Sequence, residues 1–170
     1  IALFQSRMPM AGVDSDRVFG IVGHRRNRGL EMTAYGLAAP GWKVLGGLSL
    51  LDSDVEGRDA IGAPDVQANV GVEWSPSGWR GFALEGRAIY TSSQYADAAN
   101  TQKLPSWARL DLGARYVLPI GGRQLLTLRA RIENVADKDY WASAGGYPGA
   151  GYLTLGAPRT LVVSASVDFF

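Results

Sequence analysis

The chain has 170 residues, with 17 Lys and Arg against 16 Asp and Glu, no cysteine, and a single histidine, His24. So balanced a charge excludes a nucleic-acid partner held by a basic field, and one imidazole without thiols leaves little for zinc centres, disulfide frameworks or cysteine nucleophiles. No window approaches the ~20 consecutive apolar residues of a membrane-spanning helix, whereas 22 glycines among short apolar alternations favour strands joined by tight turns.

Successive side chains of a strand point to opposite faces, so a strand with one greasy and one wet face shows alternation of period two. A short strand is expected near Ile1 to Arg7, with no initiator Met, basic stretch or cleavage site before it, so further chain is expected upstream. A long segment from about Val18 to Ala38 sets Leu30, Met32 and Ala34 against Glu31, Thr33 and Tyr35, and Trp42, Val44, Gly46, Leu48 and Leu50 alternate with a mixed set. The pattern then sharpens. Val66, Ala68, Val70, Val72 and Trp74 oppose Gln67, Asn69, Gly71 and Glu73, and Phe82, Leu84, Gly86, Ala88 and Tyr90 oppose Glu85, Arg87 and Thr91. Leu110, Leu112, Ala114, Tyr116 and Leu118 oppose Arg109, Asp111 and Arg115, and Leu126, Leu128, Ala130 and Ile132 oppose Thr127, Arg129, Arg131 and Glu133. The last strand sets Leu161, Val163, Ala165, Val167 and Phe169 against Thr160, Ser164, Ser166 and Asp168.

These segments make eight strands, mostly near the ~10 residues that a tilted transmembrane β-strand needs. Their connections alternate. Pro40-Gly41, Ser75 to Trp79 and Pro119 to Gly122 are tight, whereas Pro9 to Asp16, Ser53 to Pro64, Ser92 to Leu104 and Val135 to Ala157 are long. Outer-membrane barrels have short periplasmic turns and longer extracellular loops, so a chain end at Phe170 on the periplasmic side puts every long loop outside. Trp42, Trp74, Trp79, Tyr90, Trp107, Tyr116 and Phe169 sit near strand ends, as interfacial girdles require. The expected fold is therefore all-β, an antiparallel transmembrane β-barrel segment. A soluble β-sandwich is the competing fold; it requires Val66, Val70, Leu112, Leu128 and Val163 to share a core. The competing function is that of a complete eight-stranded outer-membrane barrel with a structural or lipid-related role.

Motifs in order along nearly the whole chain narrow this further. Asn27-Arg28-Gly29-Leu30-Glu31, then Pro40-Gly41-Trp42 and Leu51-Asp52, precede Tyr95-Ala96-Asp97, Asn100-Thr101, Leu104-Pro105 and Leu110-Asp111-Leu112. The most specific run is Leu128-Arg129-Ala130-Arg131-Ile132-Glu133-Asn134-Val135-Ala136-Asp137-Lys138-Asp139-Tyr140, followed by Gly156-Ala157-Pro158-Arg159-Thr160 and a final strand ending in Phe. The series resembles the closing segments of TonB-dependent siderophore receptors. Phe170 departs from that pattern by adding one residue after the Phe of apolar parity.

The resemblance implies that residues 1–170 are the C-terminal part of a barrel of about 22 strands, whose lumen is plugged, and that the plug domain lies outside them. It implies a ferric siderophore as ligand, with iron as cargo and no resident cofactor or metal. Energy would come from the TonB complex acting through the missing plug, and the surroundings would be the lipid and lipopolysaccharide of a Gram-negative outer membrane. No catalytic residue is expected. Tyr95, Tyr140, Trp141, Tyr147 and Tyr152 in the outer loops are the expected ligand contacts, because Tyr and Trp give large contact area at low entropic cost.

Glu73, Glu85, Arg87, Arg109, Asp111, Arg115, Arg129, Arg131 and Glu133 form the wet parity and are expected to face the lumen, as ion-pair ladders or as contacts for an anionic complex or the plug. Asn134 and Asp137 are read as turn residues that tolerate left-handed backbone. Asp137 and Asp139 offer too few oxygens for a hard cation. The glycines of Gly145-Gly146 and Gly149-Ala150-Gly151 lack the strand-to-helix context of a phosphate loop. His24, Arg25, Arg26 and Arg28 make a basic cluster at one end of a strand, read as a solvated or lumen-facing end or as a site for anionic lipid or ligand.

Overall fold

The computed structural model describes residues 1–147 and 150–169, apart from the side chains of Tyr147 and Ala150. Thirteen strands are present among them: β1 (Ala2–Val13), β2 (Phe19–Ala39), β3 (Trp42–Val55), β4 (Arg58–Asp59), β5 (Val66–Trp74), β6 (Phe82–Thr91), β7 (Gln94–Tyr95), β8 (Lys103–Leu104), β9 (Trp107–Gly121), β10 (Gln124–Glu133), β11 (Trp141–Tyr147), β12 (Ala150–Leu155) and β13 (Thr160–Phe169). Eight of them run in the order β1-β2-β3-β5-β6-β9-β10-β13, each antiparallel to its neighbours, and β4 pairs with β3. These are the eight strands expected from alternation. The path is an open meander, since β1 and β13 do not pair with each other among the described residues. A self-contained eight-stranded barrel would close there, so the small-barrel alternative is not what this sheet is.

Cross-strand register sorts the side chains into two faces. One row joins Trp42 to Trp74, the next but one joins Val44 to Val72 and on to Gly86 and Leu112, and the top row joins Leu3, Leu30, Leu50 and Val66. Apolar side chains therefore stack on one face of a single-layer sheet. Five rungs from Val66 to Trp74 span about 27 Å along the strand, close to the ~25 Å apolar band of an outer-membrane barrel.

Among the described residues nothing packs against this face. Val70 is 50% exposed, Leu112 46% and Val163 69%, and among the described residues the buried hydrophobic ones are only Ala60, Ala83, Leu104, Tyr140 and Ala144, mostly in the loops. A sandwich core at Val70, Leu112, Leu128 and Val163 is thereby excluded. Because hydrocarbon offers backbone groups no hydrogen bonds, a strand in it must pair on both sides, and every interior strand of the meander does.

The tight turns lie at one end, as expected. Trp42 and Trp74 stack there at 5.7 Å, and Phe82 lies 5.1 Å from Trp79 and 6.5 Å from Tyr116, an aromatic rim over the turns. Trp107 does not belong to a girdle. It pairs with Thr91, which puts it on the polar parity, and its ring packs against Tyr140 at 4.3 Å on the inner face.

The expected long loops contain more structure than the sequence signals suggested. Pro9 to Val13 is strand, paired with Phe19 to His24 after a bulge at Met10/Ala11, and only Asp14 to Arg17 turn, held by the Asp14 carboxylate on the Asp16 and Val18 amides. Arg17 accepts a φ of +61° to close that turn. The Ser92 to Leu104 loop carries the β7–β8 pair, and the Val135 to Ala157 loop carries the β11–β12 hairpin. Alternation is invisible in such pieces, because neither face meets a uniform solvent.

Candidate functional site at the outer loops and inner face

The inner face carries the charges. Across the sheet one rung reads Leu37, Lys43, Glu73, Glu85, Gly113 and Arg131, and the next toward the loops reads Tyr35, Leu45, Gly71, Arg87 and Asp111. Glu73 and Glu85 are directly opposite, an arrangement of like charges that destabilises a sheet unless bridged. Arg115 bridges them, 3.0 Å from Glu73 and 3.8 Å from Glu85, and Lys43 adds a second contact to Glu73 at 3.0 Å.

A second network lies nearer the loops. Arg109 reaches Asp111 at 2.9 Å and Glu133 at 3.9 Å, and Arg131 reaches Glu133 at 2.6 Å. Asp111 is buried, and its other carboxylate oxygen accepts the backbone N–H of Asn134 at 2.9 Å. Seven of the nine residues expected on the wet face thus join two ion-pair clusters; Arg87 and Arg129 form no ion pair among the described residues. Sequence reasoning overlooked Leu37 and Leu45, which together with Tyr35, expected on this parity, put exposed apolar surface on this otherwise polar face. Their signal was present in the mixed parity of the early strands.

Above this face the loops form a joined cap. The Asn100 side chain, at φ +57°, accepts the Asp59 amide at 2.9 Å and donates to the Asp59 carbonyl at 3.0 Å, so the β3–β5 loop is bonded to the β6–β9 loop. The Gly62 amide donates to the Tyr95 carbonyl at 2.9 Å, and Gly62, at φ +67°, lies so close to the Ala144 carbonyl that a side chain there would collide with it. The β10–β13 loop therefore leans on the same neighbours. Ala60, Gln94, Leu104 and Ala144 are buried in this cap.

Five aromatic residues were expected as ligand contacts, and their settings differ. Tyr140 is 9% exposed; it lies over Gly156, against Trp107, with its hydroxyl 3.4 Å from Arg109. Tyr152 is 63% exposed on β12, its ring across from Gly145. Tyr95 is half-buried with Lys103 over its ring at 5.3 Å, and Trp141 is half-buried at the start of β11. The Tyr147 side chain lies outside the described residues, as does Phe170.

An antiparallel single-layer sheet, greasy outside, charged inside, with short turns at one end and a bonded cap at the other, defines a wall of an outer-membrane β-barrel. Residues 4–135 match the family described as TonB dependent receptor-like, beta-barrel, and the chain belongs to that family.

Among curated proteins it is 37% identical to the ferrichrome receptor FcuA of Yersinia enterocolitica, an alignment over 99% of this chain and 23% of that protein. It is 26% identical to the ferrichrome outer membrane transporter/phage receptor of Escherichia coli K12, over 86% of this chain and 20% of that one. Among solved structures, BauA, the ferric preacinetobactin receptor of Acinetobacter baumannii, superposes with a TM-score of 0.84 at 32% identity, covering 98% of this chain and 26% of BauA. The chain thus spans about a quarter of the length of these relatives. It is a segment of a TonB-dependent receptor barrel of the Gram-negative outer membrane, and that family consists of transport receptors.

Proposed function

We propose that residues 1–170 are the C-terminal part of a barrel, of about 22 strands, that binds a ferric siderophore at its outer mouth and passes it inward with TonB-coupled energy. The plug and its TonB contact lie outside these residues, iron enters as cargo on the siderophore, and the chain does no catalysis and holds no cofactor or metal of its own. The observation that carries the reading is a cap of two bonded loops, with a third packed against them, above a charged inner face, in a chain 37% identical to a ferrichrome receptor along nearly all its length.

Within the cap, Tyr152 and Trp141 are the ligand contacts, with Tyr95 beside them, while Tyr140 acts through the fold: it is buried against Trp107 and Gly156. Arg87 and Arg129, without ion-pair partners among the described residues, are the lumen cations that attract an anionic ferric complex or an acidic stretch of the plug. Outer-membrane lipid and lipopolysaccharide cover the apolar face.

The test uses the full-length receptor in an iron-starved host lacking other receptors, with radioiron-labelled ferrichrome as probe. Uptake that needs both the receptor and TonB is expected. Replacing Tyr152 by Ala should weaken surface binding about tenfold, the loss of one well-packed aromatic anchor, with surface expression unchanged. No uptake of ferrichrome or of other ferric siderophores would overturn the proposal.

A further inference from the structure

Tyr35, Leu37 and Leu45 do not match the charges around them. Tyr35 pairs with Leu45, and Leu37 pairs with Lys43 one rung nearer the tight turns, all on the lumen parity. Lys43 and Leu45 follow Trp42 by one and three residues, so the patch lies roughly 3–10 Å inside the aromatic rim, near the periplasmic end of the lumen.

Below Glu31, β2 has no described neighbour on its β1 side, which opens the flanks of the exposed Tyr35 and Leu37. Leu45 has no such opening. It lies between β2 and β5, paired with Tyr35 and Gly71, and is still 56% exposed. Side chains stand perpendicular to a sheet, so further strands of the wall leave the top of this patch uncovered.

Clustered apolar side chains that face water mark a surface that another body covers. The patch borders a hollow of about 560 Å³ in which Gly71 and Gly113 present no side chains. Arg87 stands on its far side, in the rung of Leu45 and two strands away, about 10 Å across. Arg115 on the same face is held by two carboxylates, whereas Arg87 has no ion pair among the described residues.

The receptor itself supplies a body of sufficient size. This chain spans 23% of FcuA, and its eight strands are about a third of a 22-stranded wall, so a whole wall takes roughly two thirds of such a receptor. The remaining third is chain with no place in the wall. Tethered to the barrel, it meets the patch at high effective concentration, whereas a ligand in transit leaves the resting receptor uncovered.

We propose that Tyr35, Leu37 and Leu45 form an apolar anchor that holds the plug to the β2–β3 wall near the periplasmic end of the lumen. The plug segment seated there carries at least two aliphatic or aromatic side chains and a carboxylate that reaches Arg87. The inference rests on the receptor reading above. On β9 and β10 the charges are mostly paired with one another and offer no comparable hold. The plug therefore parts from that wall first, and the ligand passes along it.

The experiment uses the full-length receptor in cells, with photo-reactive p-benzoylphenylalanine in place of Tyr35, of Arg129 or of the lipid-facing Phe82. Irradiation should join the Tyr35 position to a plug segment of the stated composition, identified by mass spectrometry, and the Phe82 position to no part of the plug. With TonB active and ferrichrome added, the plug cross-link at the Arg129 position should be lost while that at the Tyr35 position persists. In planar bilayers, L37N/L45N should raise the open probability at a fixed urea concentration by about tenfold per leucine. Should that variant lack the heat-modifiable mobility of a folded barrel, L45A replaces it, with about a tenfold rise expected.

Cross-links from the Tyr35 position only to barrel strands, to ferrichrome, or to a plug segment without apolar side chains each sink the proposal. An unchanged opening curve in a folded variant, or loss of the Tyr35 contact before the Arg129 contact, does the same. If wild-type cells still take up ferrichrome through TonB, such a failure belongs to the anchor alone; absent uptake in the wild type is failure of the receptor reading.

Discussion

The side-chain amide of Asn134 donates to the carbonyl of Ala157, 23 residues further along the chain, at 3.0 Å, and so ties the end of β10 to the approach to β13. The same amide donates to the Lys138 carbonyl at 2.9 Å, its oxygen accepts the Lys138 amide at 2.9 Å, and its backbone sits at φ +52°. At 1% exposure this is the most completely buried large side chain described. Asp137 repeats the device, accepting the Arg159 amide at 2.8 Å. Asn134→Ala should therefore destabilise the folded barrel by about 2–4 kcal/mol, since buried partners are left unmet. Asn134→Gly keeps the left-handed backbone and should cost about 0.5–1 kcal/mol less. Urea titration of the folded receptor reads both, and equal losses would show that backbone strain plays no part.

A charge deletion should be read as a cycle. Arg115→Met leaves Glu73 facing Glu85 across β5 and β6 with only Lys43 to help. The expected cost is about 1–2 kcal/mol, above an ordinary surface ion pair because two like charges are exposed to each other. Adding Glu85→Gln should recover about half of it. A double variant no more stable than the single one would mean that the carboxylates do not sense each other through the aqueous lumen.

At the opposite end, Gly81 has φ +81°, its carbonyl accepts the Val117 amide at 2.8 Å, and a Cβ there would strike the Val117 carbonyl. Gly81→Ala should cost roughly 1–3 kcal/mol through strained backbone and lower the yield of folded receptor. Gly78→Ala in the same turn, where nothing lies within 4 Å, is the control. Heat-modifiable mobility on gels compares the two.

The Asp97 carboxylate organises the β7–β8 loop. It accepts the Gln102 amide at 2.7 Å, then the Thr101 hydroxyl at 2.7 Å and the Thr101 amide at 3.0 Å, and these donors hold its pKa below the ordinary carboxylate value. A depressed folded pKa adds stability above the unfolded pKa of about 3.9 and loses it as pH falls through the folded value. Pepsin cleavage between Ala96 and Lys103 should consequently rise below about pH 4 in the wild type. Asp97→Asn should be cut at every acidic pH, with a flatter profile.

Most of the strand framework was legible because lipid and lumen impose opposite demands on alternate residues, as Val66 to Trp74 and Phe82 to Thr91 show without error at either end. The early strands were less clear, since Tyr35, Leu37 and Leu45 put apolar side chains on the inner face and blur the parity. The same mixture hid the length of β1, where Pro9 and Gly12 read as loop although Asp14 closes a tight turn beyond them. Turn chemistry at Asn134 and Asp137 was readable from residue type. What Asn134 holds was not, because Ala157 is distant in sequence and its carbonyl carries no side-chain signature. Likewise Trp107 was placed at a strand end correctly and on the wrong face, a distinction of one residue in register.

The lateral bonds of the cap, Asn100 to Asp59 and Gly62 to Tyr95, have an evolutionary consequence. Surface loops usually drift independently, each free to lengthen or change sequence on a fixed scaffold. Here a change in one hairpin deprives its neighbour of a partner, so these two loops should diversify as a set. A barrel built this way acquires a new specificity by exchanging a whole block of hairpins more readily than by accumulating single replacements.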